Sequence, residues 1–389
     1  MMPLLVLTAA EAAARDRATI DAGVPSRALM QRAGAAAAGE IARRLGDRLH
    51  AGVAIHAGPG NNGGDAWVVA AALARQGIAV RCTLHGAPEP KTDDARFEWA
   101  RAARAGLCAE PTGAEGVVVD GLLGTGARGA PADAIAAVVH EMAARRGAGA
   151  AVVALDVPTG LDATTGETHG DRTVTADLTL TFGSLKRGLL VAREHAGAIV
   201  VLDIGLDEGA DADVPALADG SHVDRVAAPV PAGAHKGTRG KLAIVGGARG
   251  MAGATLLAAD SALRSGVGMT RLVVAPESLP VAQTALPESL SSPWPDDGAA
   301  LDEAVARWAD VVLIGPGLGR DDTARALLDR VLAAWRGPVV LDADAVTLFA
   351  GDLDRLGRLL SGRPALLTPH PLELSRLAGV PVDDVLARR

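Results

Sequence analysis

The residues best suited to chemistry stand in three polar segments, each directly after a short apolar run. They are Gly58 to Asp65, Asp120 to Gly129 and Asp156 to Asp162. Glycines let backbone approach a ligand closely, and the free N–H groups at a helix start attract negative charge. Asparagine and aspartate add hydrogen-bonding groups that a purely connecting turn does not need. Each segment alone could be a turn, but three at one sheet edge favour a site for an anionic or sugar-containing ligand.

The elements that must position these segments are strands that alternate with helices. Apolar runs predict strands at 52–57, 78–84, 117–119, 151–155, 178–182 and 199–202. Helices are predicted from the capping-box spacing of Thr8 and Glu11 to about 20, and at 25–46, 67–76, 96–105 and 134–145. This alternation predicts a parallel sheet covered on both faces, and ligands bind outside the carboxyl ends of such strands.

A second α/β region follows a segment rich in Asp, Ala, Gly and Pro, of which 223–231 is predicted to be an extended linker. Its predicted strands are 241–245, 270–275, 311–314, 339–341 and 365–367, with a helix at 254–265. The polar loops that follow these strands do not repeat those of the first half. We therefore predict two different domains, 1–222 and 223–389, rather than an internal duplication.

Composition narrows the classes of function. A chain of 389 residues is long for one core, and 49% hydrophobic with 22% charged residues is typical of a globular protein. A net charge of −8, 2% aromatic residues and no Tyr argue against nucleic-acid and anionic-membrane partners. No apolar run is long enough for a membrane span, and the N-terminus lacks a basic leader. Cys82 and Cys108 have neither metal nor redox spacing, so we expect reduced thiols and a cytoplasmic location.

Taken in order, the motifs resemble the bifunctional NAD(P)H-hydrate repair enzymes. That family fuses an NAD(P)HX epimerase domain to an ADP- or ATP-dependent NAD(P)HX dehydratase domain of the ribokinase-like class. In the first half the resemblance rests on Leu29-Met30 with Ala33-Gly34, the three polar segments, Phe182-Gly183 with Lys186, and Asp203 to Leu206. In the second half it rests on His235-Lys236-Gly237, Gly246 to Gly253, Gly315 to Gly319, Asp342-Ala343-Asp344 and Thr368 to Glu373.

The resemblance implies a Rossmann-like first domain that interconverts R- and S-NAD(P)HX. The hydrate would lie against Asn61, Asn62, Gly63, Gly64 and Asp65, and against Gly124, Thr125, Gly126, Ala127, Arg128, Gly129 and Ala130. Asn62, Asp120 and Thr159 would ligate K⁺, which takes oxygen ligands of these kinds. Asp156 would contact the substrate and act as base for proton transfer at the carbon that bears the hydroxyl. Thr159 replaces the usual serine and keeps its hydroxyl, and Ala66 replaces a common glycine.

For the second domain the resemblance implies contacts of Ala254, Gly317 and His370 with the hydrate, and use of ADP or ATP with Mg²⁺. Phosphorylation of the hydroxyl would turn a poor leaving group into a good one. His370 could instead cap a helix between Pro369 and Pro371. The family's Gly-rich anion loop ending in Gly-Asp has no counterpart after Glu373, where a helical stretch with a turn at Gly379 is predicted. We therefore expect a dehydratase domain without its nucleotide-binding part. Either the chain is a fragment of a longer protein, which the intact remaining motifs favour, or the second domain is degenerate.

Three other readings stay open on the residues. A ribokinase-like small-molecule kinase would need the same Gly-Asp loop and leaves the first half unexplained. A nucleotide-sensing or scaffolding module has no need of Asn62, Asp120 and Asp156 together. An NAD-linked dehydrogenase is disfavoured because Gly58 to Asp65 lacks the dinucleotide fingerprint spacing. We expect NADHX or NADPHX as the small-molecule substrate and a homo-oligomeric protein.

Overall fold

The computed structural model describes residues 4–206, 214–218, 220–227 and 229–387. It divides into two compact units, Met1–Ala228 and Pro229–Arg389. Each unit contains a six-stranded, all-parallel sheet, which confirms the predicted pair of α/β domains. In the described ranges no helix has the length and apolar character needed to cross a bilayer.

The first unit is built on six strands in the order β3-β2-β4-β5-β6-β8. Its strands are β1 (Val6–Leu7), β2 (Val53–Ala57), β3 (Val80–Leu84), β4 (Val117–Gly121), β5 (Ala151–Leu155), β6 (Leu178–Phe182), β7 (Leu185–Lys186) and β8 (Ala198–Leu202). The short strands β1 and β7 pair separately with each other. The chain winds in opposite directions from β2, so the switch point where such sheets bind ligands lies between β2 and β4.

Helices cover both faces of this sheet. They are α1 (Ala9–Asp21), α2 (Ser26–Leu49), α3 (Asn61–Arg75), α4 (Asp93–Arg104), α5 (Asp133–Gly147), α6 (Arg187–Val191), α7 (Arg193–Ala196) and α8 (Gly220–Val226), with a 3₁₀ turn at Gly170–Arg172. The predicted capping box at Thr8 is present. One core packs Ile41 and Trp67 against the sheet, and a second packs Val139 and Met142 against its other face.

Two sequence predictions of local structure are wrong. The segment Asn61 to Asp65 is not a loop but the start of α3, whose N-cap is Gly60. A Cβ on Gly63 would lie 1.8 Å from the carbonyl oxygen of Gly58, so glycine is what lets the helix begin this close to β2. The linker prediction fails at 223–226, which belongs to α8; no proline interrupts that stretch.

The second unit has the strand order β11-β10-β9-β12-β13-β14. The strands are β9 (Lys241–Val245), β10 (Met269–Val274), β11 (Leu290–Pro293), β12 (Val311–Ile314), β13 (Val339–Leu341) and β14 (Ala365–Leu367). The helices are α9 (Ala252–Arg264), α10 (Leu279–Ala285), α11 (Gly298–Leu301), α12 (Asp322–Ala334), α13 (Asp344–Thr347), α14 (Leu353–Leu360), α15 (Pro371–Ala378) and α16 (Val382–Ala387), with a 3₁₀ turn at Pro276–Ser278 and a π turn at Asp302–Ala306. Phe349 and Leu327 are fully buried in its main core. The turn predicted at Gly379 is present, in the left-handed conformation.

Candidate functional site

A cavity of about 640 Å³ opens at the carboxyl ends of the strands in the first unit. Three stretches of chain that follow β2, β4 and β5 contribute to its wall, together with α1, α2, the start of α4 and the segment around β7. The side chains that bear on its chemistry are Asp16, Asn61, Asn62, Asp65, Asp156 and Lys186. The carboxyl edge therefore holds the polar residues that the sequence placed at strand ends.

A wider depression of about 840 Å³ lies at the opposite edge of the same sheet, next to the start of β5. Its charged groups are engaged with each other or with backbone: Arg146 with Asp177, His140 with Asp171, and Arg48 with a carbonyl oxygen. The cavity at the carboxyl edge instead contains a buried carboxylate–lysine pair and a glycine-containing loop that a ligand can approach. We therefore regard this cavity, the smaller of the two, as the site.

Glycine permits the close approach of two chain segments at the switch point. A Cβ on Gly58 would lie 1.7 Å from the carbonyl oxygen of Leu122, a distance no side chain can occupy. The Gly58 N–H in turn donates to Gly121 O at 2.9 Å. The end of β2 and the end of β4 are thus locked together, which brings the start of α3 beside the loop that begins at Leu122.

The three predicted potassium ligands meet beneath the cavity. The Thr159 hydroxyl donates to Asp120 Oδ1 at 2.7 Å, and the Thr159 N–H donates to Asp120 Oδ2 at 2.8 Å. The Asn62 amide nitrogen donates to Leu123 O at 3.0 Å. Thr159 and Asp120 are fully buried, and Asn62 is nearly so. The structure therefore groups an amide, a carboxylate and a hydroxyl within one hydrogen-bonded network.

This network suits a monovalent cation on two observations. The Asn62 Oδ1 atom is buried and has no hydrogen-bond partner in the described part of the chain, so one oxygen acceptor is left for a ligand. No cationic side chain among the described residues forms an ion pair with the buried Asp120 carboxyl. Burial raises the pKa of Asp120 to about 6, against the opposing effect of the hydrogen bonds from Thr159 and Leu122. A bound cation would offset that burial.

Asp156 lies at the end of β5 in an unusual backbone conformation. Its φ is +64°, in the left-handed region, and its N–H donates to Leu180 O at 2.8 Å. The Lys186 ammonium donates to Asp156 Oδ1 at 2.6 Å and to Phe182 O at 2.8 Å. The Lys186 side chain is 4% exposed and that of Asp156 is 13% exposed. A carboxylate held by a buried lysine therefore faces the cavity.

Two further carboxyl groups stand near this pair. Asp65 is in the second turn of α3, lines the cavity and has no hydrogen-bond partner for its carboxyl among the described residues. Burial raises the pKa of Asp65 well above its usual range; the charges of Asp156 and Asp16 act in the same direction and Lys186 opposes them. Burial likewise raises the pKa of Asp16, which Lys186 lowers and Asp156 raises. One lysine thus faces three carboxyl groups.

Most of the residues predicted to bind the hydrate line the cavity. Those that do so are Asn61, Asn62, Asp65, Gly124, Thr125, Gly126, Ala127 and Asp156. Gly63 and Gly64 lie on the buried side of the first turn of α3, where a Cβ on Gly64 would lie 2.4 Å from Met30 Cε. Arg128, Gly129 and Ala130 are exposed and lie outside the lining.

Sequence reasoning missed the roles of two charged residues. The sequence motif includes Lys186 but does not indicate its pairing with Asp156. No sequence pattern predicts that Asp16 lines the site. Lys186 belongs to β7, whose pairing with β1 joins residues far apart in the chain. Asp16 reaches the cavity from α1. The one available signal was the position of Lys186 four residues after Phe182, whose carbonyl oxygen it binds.

The corresponding edge of the second unit is also built on close backbone contacts. A Cβ on Gly246 would lie 2.1 Å from Pro316 O, and the Gly247 N–H donates to that oxygen at 3.0 Å. The two predicted contacts Ala254 and Gly317 are adjacent: a Cβ on Gly317 would lie 3.3 Å from Ala254 Cβ. Both stand at the switch point between β9 and β12.

His370 acts as the N-cap of α15. Its Nδ1 accepts from the Glu373 N–H at 3.3 Å, and its own N–H donates to Glu373 Oε2 at 3.0 Å. This is the capping alternative raised from the sequence. His370 remains exposed, and its contact with the hydrate stays a prediction. Next to it, the Thr368 hydroxyl donates to Asp342 Oδ1 at 2.6 Å.

Comparison with known proteins assigns each half of the chain. Residues 26–188 match the family model described as YjeF-related protein N-terminus, and residues 242–388 match that described as NAD(P)H-hydrate dehydratase. The bifunctional NAD(P)H-hydrate repair enzyme of Escherichia coli is 34% identical over 371 residues, which are 93% of this chain and 69% of that protein. Its counterpart in Coxiella burnetii is 34% identical and covers 95% of this chain and 75% of its own length.

A solved structure gives a partial likeness for one unit. The ADP/ATP-dependent NAD(P)H-hydrate dehydratase of Bacillus subtilis, co-crystallised with ATP and Mg²⁺, aligns with a TM-score of 0.36 and 30% identity, over 43% of this chain and 58% of that one. The identity and coverage of the full-length relatives, together with the two family matches in their order, decide the assignment. The chain belongs to the family of bifunctional NAD(P)H-hydrate repair enzymes.

Proposed function

We propose that the first unit epimerises R- and S-NADHX and R- and S-NADPHX, and that the second unit belongs to the nucleotide-dependent dehydration of the S epimer. The observation that carries the epimerase proposal is the Asp156–Lys186 pair, which faces a cavity large enough for the hydrated ring. Asp156 pairs with a buried lysine at the cavity, and a carboxylate in such a position is a suitable base.

The rest of the site would bind and orient the substrate. The start of α3 and the loop from Gly124 to Ala127 both line the cavity, and the free N–H groups at a helix start attract a phosphate. Asn62, Asp120 and Thr159 would hold K⁺. When bound, K⁺ would supply a fixed positive charge beside the buried Asp120 carboxyl and would tie the ends of β4 and β5 to α3.

For the second unit we propose ADP or ATP with Mg²⁺ as the phosphate donor. The turn at Gly246 to Ala248 and the Pro316-Gly317 turn would receive the hydrate, with Ala254, Gly317 and His370 in contact with it. The proposal rests on the family match over 242–388 and on the switch-point geometry of that unit. The same proposal includes a cytoplasmic location, which the free thiols of Cys82 and Cys108 support. It also includes a homo-oligomeric state, which the family supports and which light scattering of the purified chain tests.

The decisive experiment follows conversion of one purified epimer into the other in the presence of K⁺, against the spontaneous rate. We expect rapid interconversion by the wild-type chain and a loss of at least about 100-fold in the Asp156→Ala variant, the scale of a positioned base. The matched control is Asp171→Ala, whose carboxyl lies outside the cavity. A folded wild-type chain that gives no acceleration would refute the epimerase and leave a nucleotide-binding module.

A further inference from the structure

Epimerisation of the hydrate poses a chemical problem that a base alone does not solve. Water added to the reduced nicotinamide ring places the hydroxyl on C6, the carbon bonded to the ring nitrogen N1. The C6–H bond has no adjacent carbonyl to stabilise a carbanion, so removal of that hydrogen as a proton is unfavourable. Inversion at C6 is easier by cleavage of the N1–C6 bond. That cleavage leaves an electron pair on N1, which calls for a proton donor.

The cavity contains a second carboxyl group of opposite character to Asp156. Asp156 has a lysine at 2.6 Å, whereas Asp65 has no hydrogen-bond partner for its carboxyl among the described residues. Lys186 already donates to Asp156 and to Phe182 O, so its ammonium is engaged elsewhere. One carboxyl with a lysine beside it and a second without such a partner are different surroundings of the kind that separate the base from the acid of an acid–base pair.

We infer that Asp65 is a neutral carboxylic acid that serves as the catalytic acid of epimerisation, opposite the base Asp156. This inference rests on the epimerase function proposed above and deepens it. It assigns to a residue of the predicted hydrate-binding segment a proton-donating role that binding alone does not require.

The proposed step conserves atoms and electrons. Asp156 takes the proton of the C6 hydroxyl, the oxygen electron pair forms the C6=O double bond, and the N1–C6 bond breaks toward N1. Asp65 gives its proton to N1, which leaves an open-chain aldehyde. Rotation about the C5–C6 bond presents the other face of the aldehyde. N1 then attacks C6 as Asp65 takes back the N1 proton and Asp156 returns its proton to the oxygen. Nothing is oxidised or reduced.

The charges around Asp65 support this assignment. Asp156 and Asp16 both disfavour a third negative charge, and burial acts in the same direction, so the pKa of Asp65 lies well above its usual range. The same cavity is also lined by Arg17 of α1, by Lys91, which precedes α4, and by Asp94 in the first turn of α4. The cation that lowers the pKa of Asp65 is Lys186. Because the neutral form is the active one, the rate should fall as pH rises through the pKa of Asp65.

The test compares the Asp65→Asn variant with the wild type in the single-epimer assay across pH. Asparagine keeps a hydrogen-bond donor of the same shape but cannot transfer a proton. We expect kcat to fall about 10²- to 10⁴-fold with a small change in KM, and the high-pH decline to disappear. The first unit of the variant should also melt no lower than that of the wild type at pH 8, because the change removes a carboxyl whose negative charge Asp156 and Asp16 disfavour.

Isotope labels test the ring-opening step itself in the wild type. Epimerisation in D₂O should leave hydrogen on C6, and epimerisation in H₂¹⁸O should label fewer than one C6 oxygen per inversion, because only hydration of the open aldehyde can exchange it. One ¹⁸O incorporated at every inversion would mean that water departs and returns, and deuterium at C6 would mean C–H cleavage; either overturns the step. An Asp65→Asn variant with the wild-type rate and pH profile overturns the acid role alone, whereas absence of wild-type activity overturns the epimerase as well.

Discussion

At the scale of single residues, the site depends on how the backbone presents Asp156. A non-glycine residue at φ +64° carries a conformational cost on the order of 1–3 kcal/mol. The N–H bond to Leu180 and the ion pair with Lys186 hold it there. The strained residue, the buried lysine and the cavity coincide, which is the pattern expected where backbone strain positions a reacting group.

Among the site residues, we expect replacement of Lys186 to lower the free energy of unfolding most. The Lys186→Met variant leaves Asp156 without a counter-charge beside Asp65 and Asp16, and removal of one partner of a buried pair costs about 3–5 kcal/mol. We expect that loss in the free energy of unfolding at pH 8 by urea denaturation, with a smaller loss at pH 5, where the carboxyl groups nearby can take up protons.

The matched control for that variant is Arg264→Met, which breaks an exposed ion pair with Asp260 one helical turn away. Exposed pairs of this kind contribute less than about 1 kcal/mol. The Asp156→Asn change in the Lys186→Met background should restore part of the stability. If Lys186→Met and Arg264→Met have equal effects, the lysine does not stabilise the site.

The site residues that sequence reasoning found and those it missed differ in how they are placed. Asp120 and Asp156 directly follow apolar runs, and Asn62 follows the Gly-rich turn after another such run. Parallel strands bring their carboxyl ends to one edge. Lys186 enters through the β1–β7 pairing, which links Val6 to Leu185. No local sequence pattern predicts a strand of two residues or the distant strand with which it pairs. Asp16 is missed for the same reason, since only packing of α1 brings it to the cavity.

At the scale of elements, the largest difference between prediction and structure is where α3 begins: residue 67 is predicted, and the helix begins at Asn61. The run Gly58 to Asp65 has two glycines in what becomes a helix, and glycine disfavours helix interiors. The close approach of Gly63 to Gly58 O outweighs that preference. Propensity therefore predicts a loop, and only the tertiary contact reveals the helix. Strands β2, β4, β5 and β9, by contrast, were predicted to within two residues because their apolar runs are buried.

The potassium site is a prediction about elements, because its ligands tie α3 to the ends of β4 and β5. Potassium at 100 times its dissociation constant would stabilise the fold by about 2.7 kcal/mol, or several degrees in Tm. We expect KCl at pH 8 to raise the Tm of the first unit's transition, which tetramethylammonium chloride at equal ionic strength does not do, as measured by scanning calorimetry.

The pH dependence of that response follows from Asp120. Burial raises its pKa to about 6, so below that pH a proton competes with the cation and the potassium effect should fade. The Asn62→Ala variant should lose the response at every pH, since it removes the buried oxygen that has no hydrogen-bond partner within the described ranges. Equal stabilisation by both salts in the wild type would refute the site.

At the scale of the whole molecule, the two units have separate hydrophobic cores. Ile41, Trp67 and Met142 belong to cores of the first unit, and Leu327 and Phe349 to the main core of the second. Chains with several cores depart from two-state unfolding. A single Tm is then not a property of this chain, and ligand effects have to be assigned to the unit that binds.

We therefore expect two calorimetric transitions, of which K⁺ and the Asp65→Asn variant move only one. The Phe349→Ala variant should move the other, because truncation of a fully buried phenylalanine costs about 3–5 kcal/mol. It should leave the potassium-responsive transition and the epimerisation rate unchanged. If Phe349→Ala lowers both transitions together, or if all the variants show only one transition, the two units unfold as one cooperative body. The effects of K⁺ and of Asp65→Asn on Tm would then belong to the entire chain and not to the first unit.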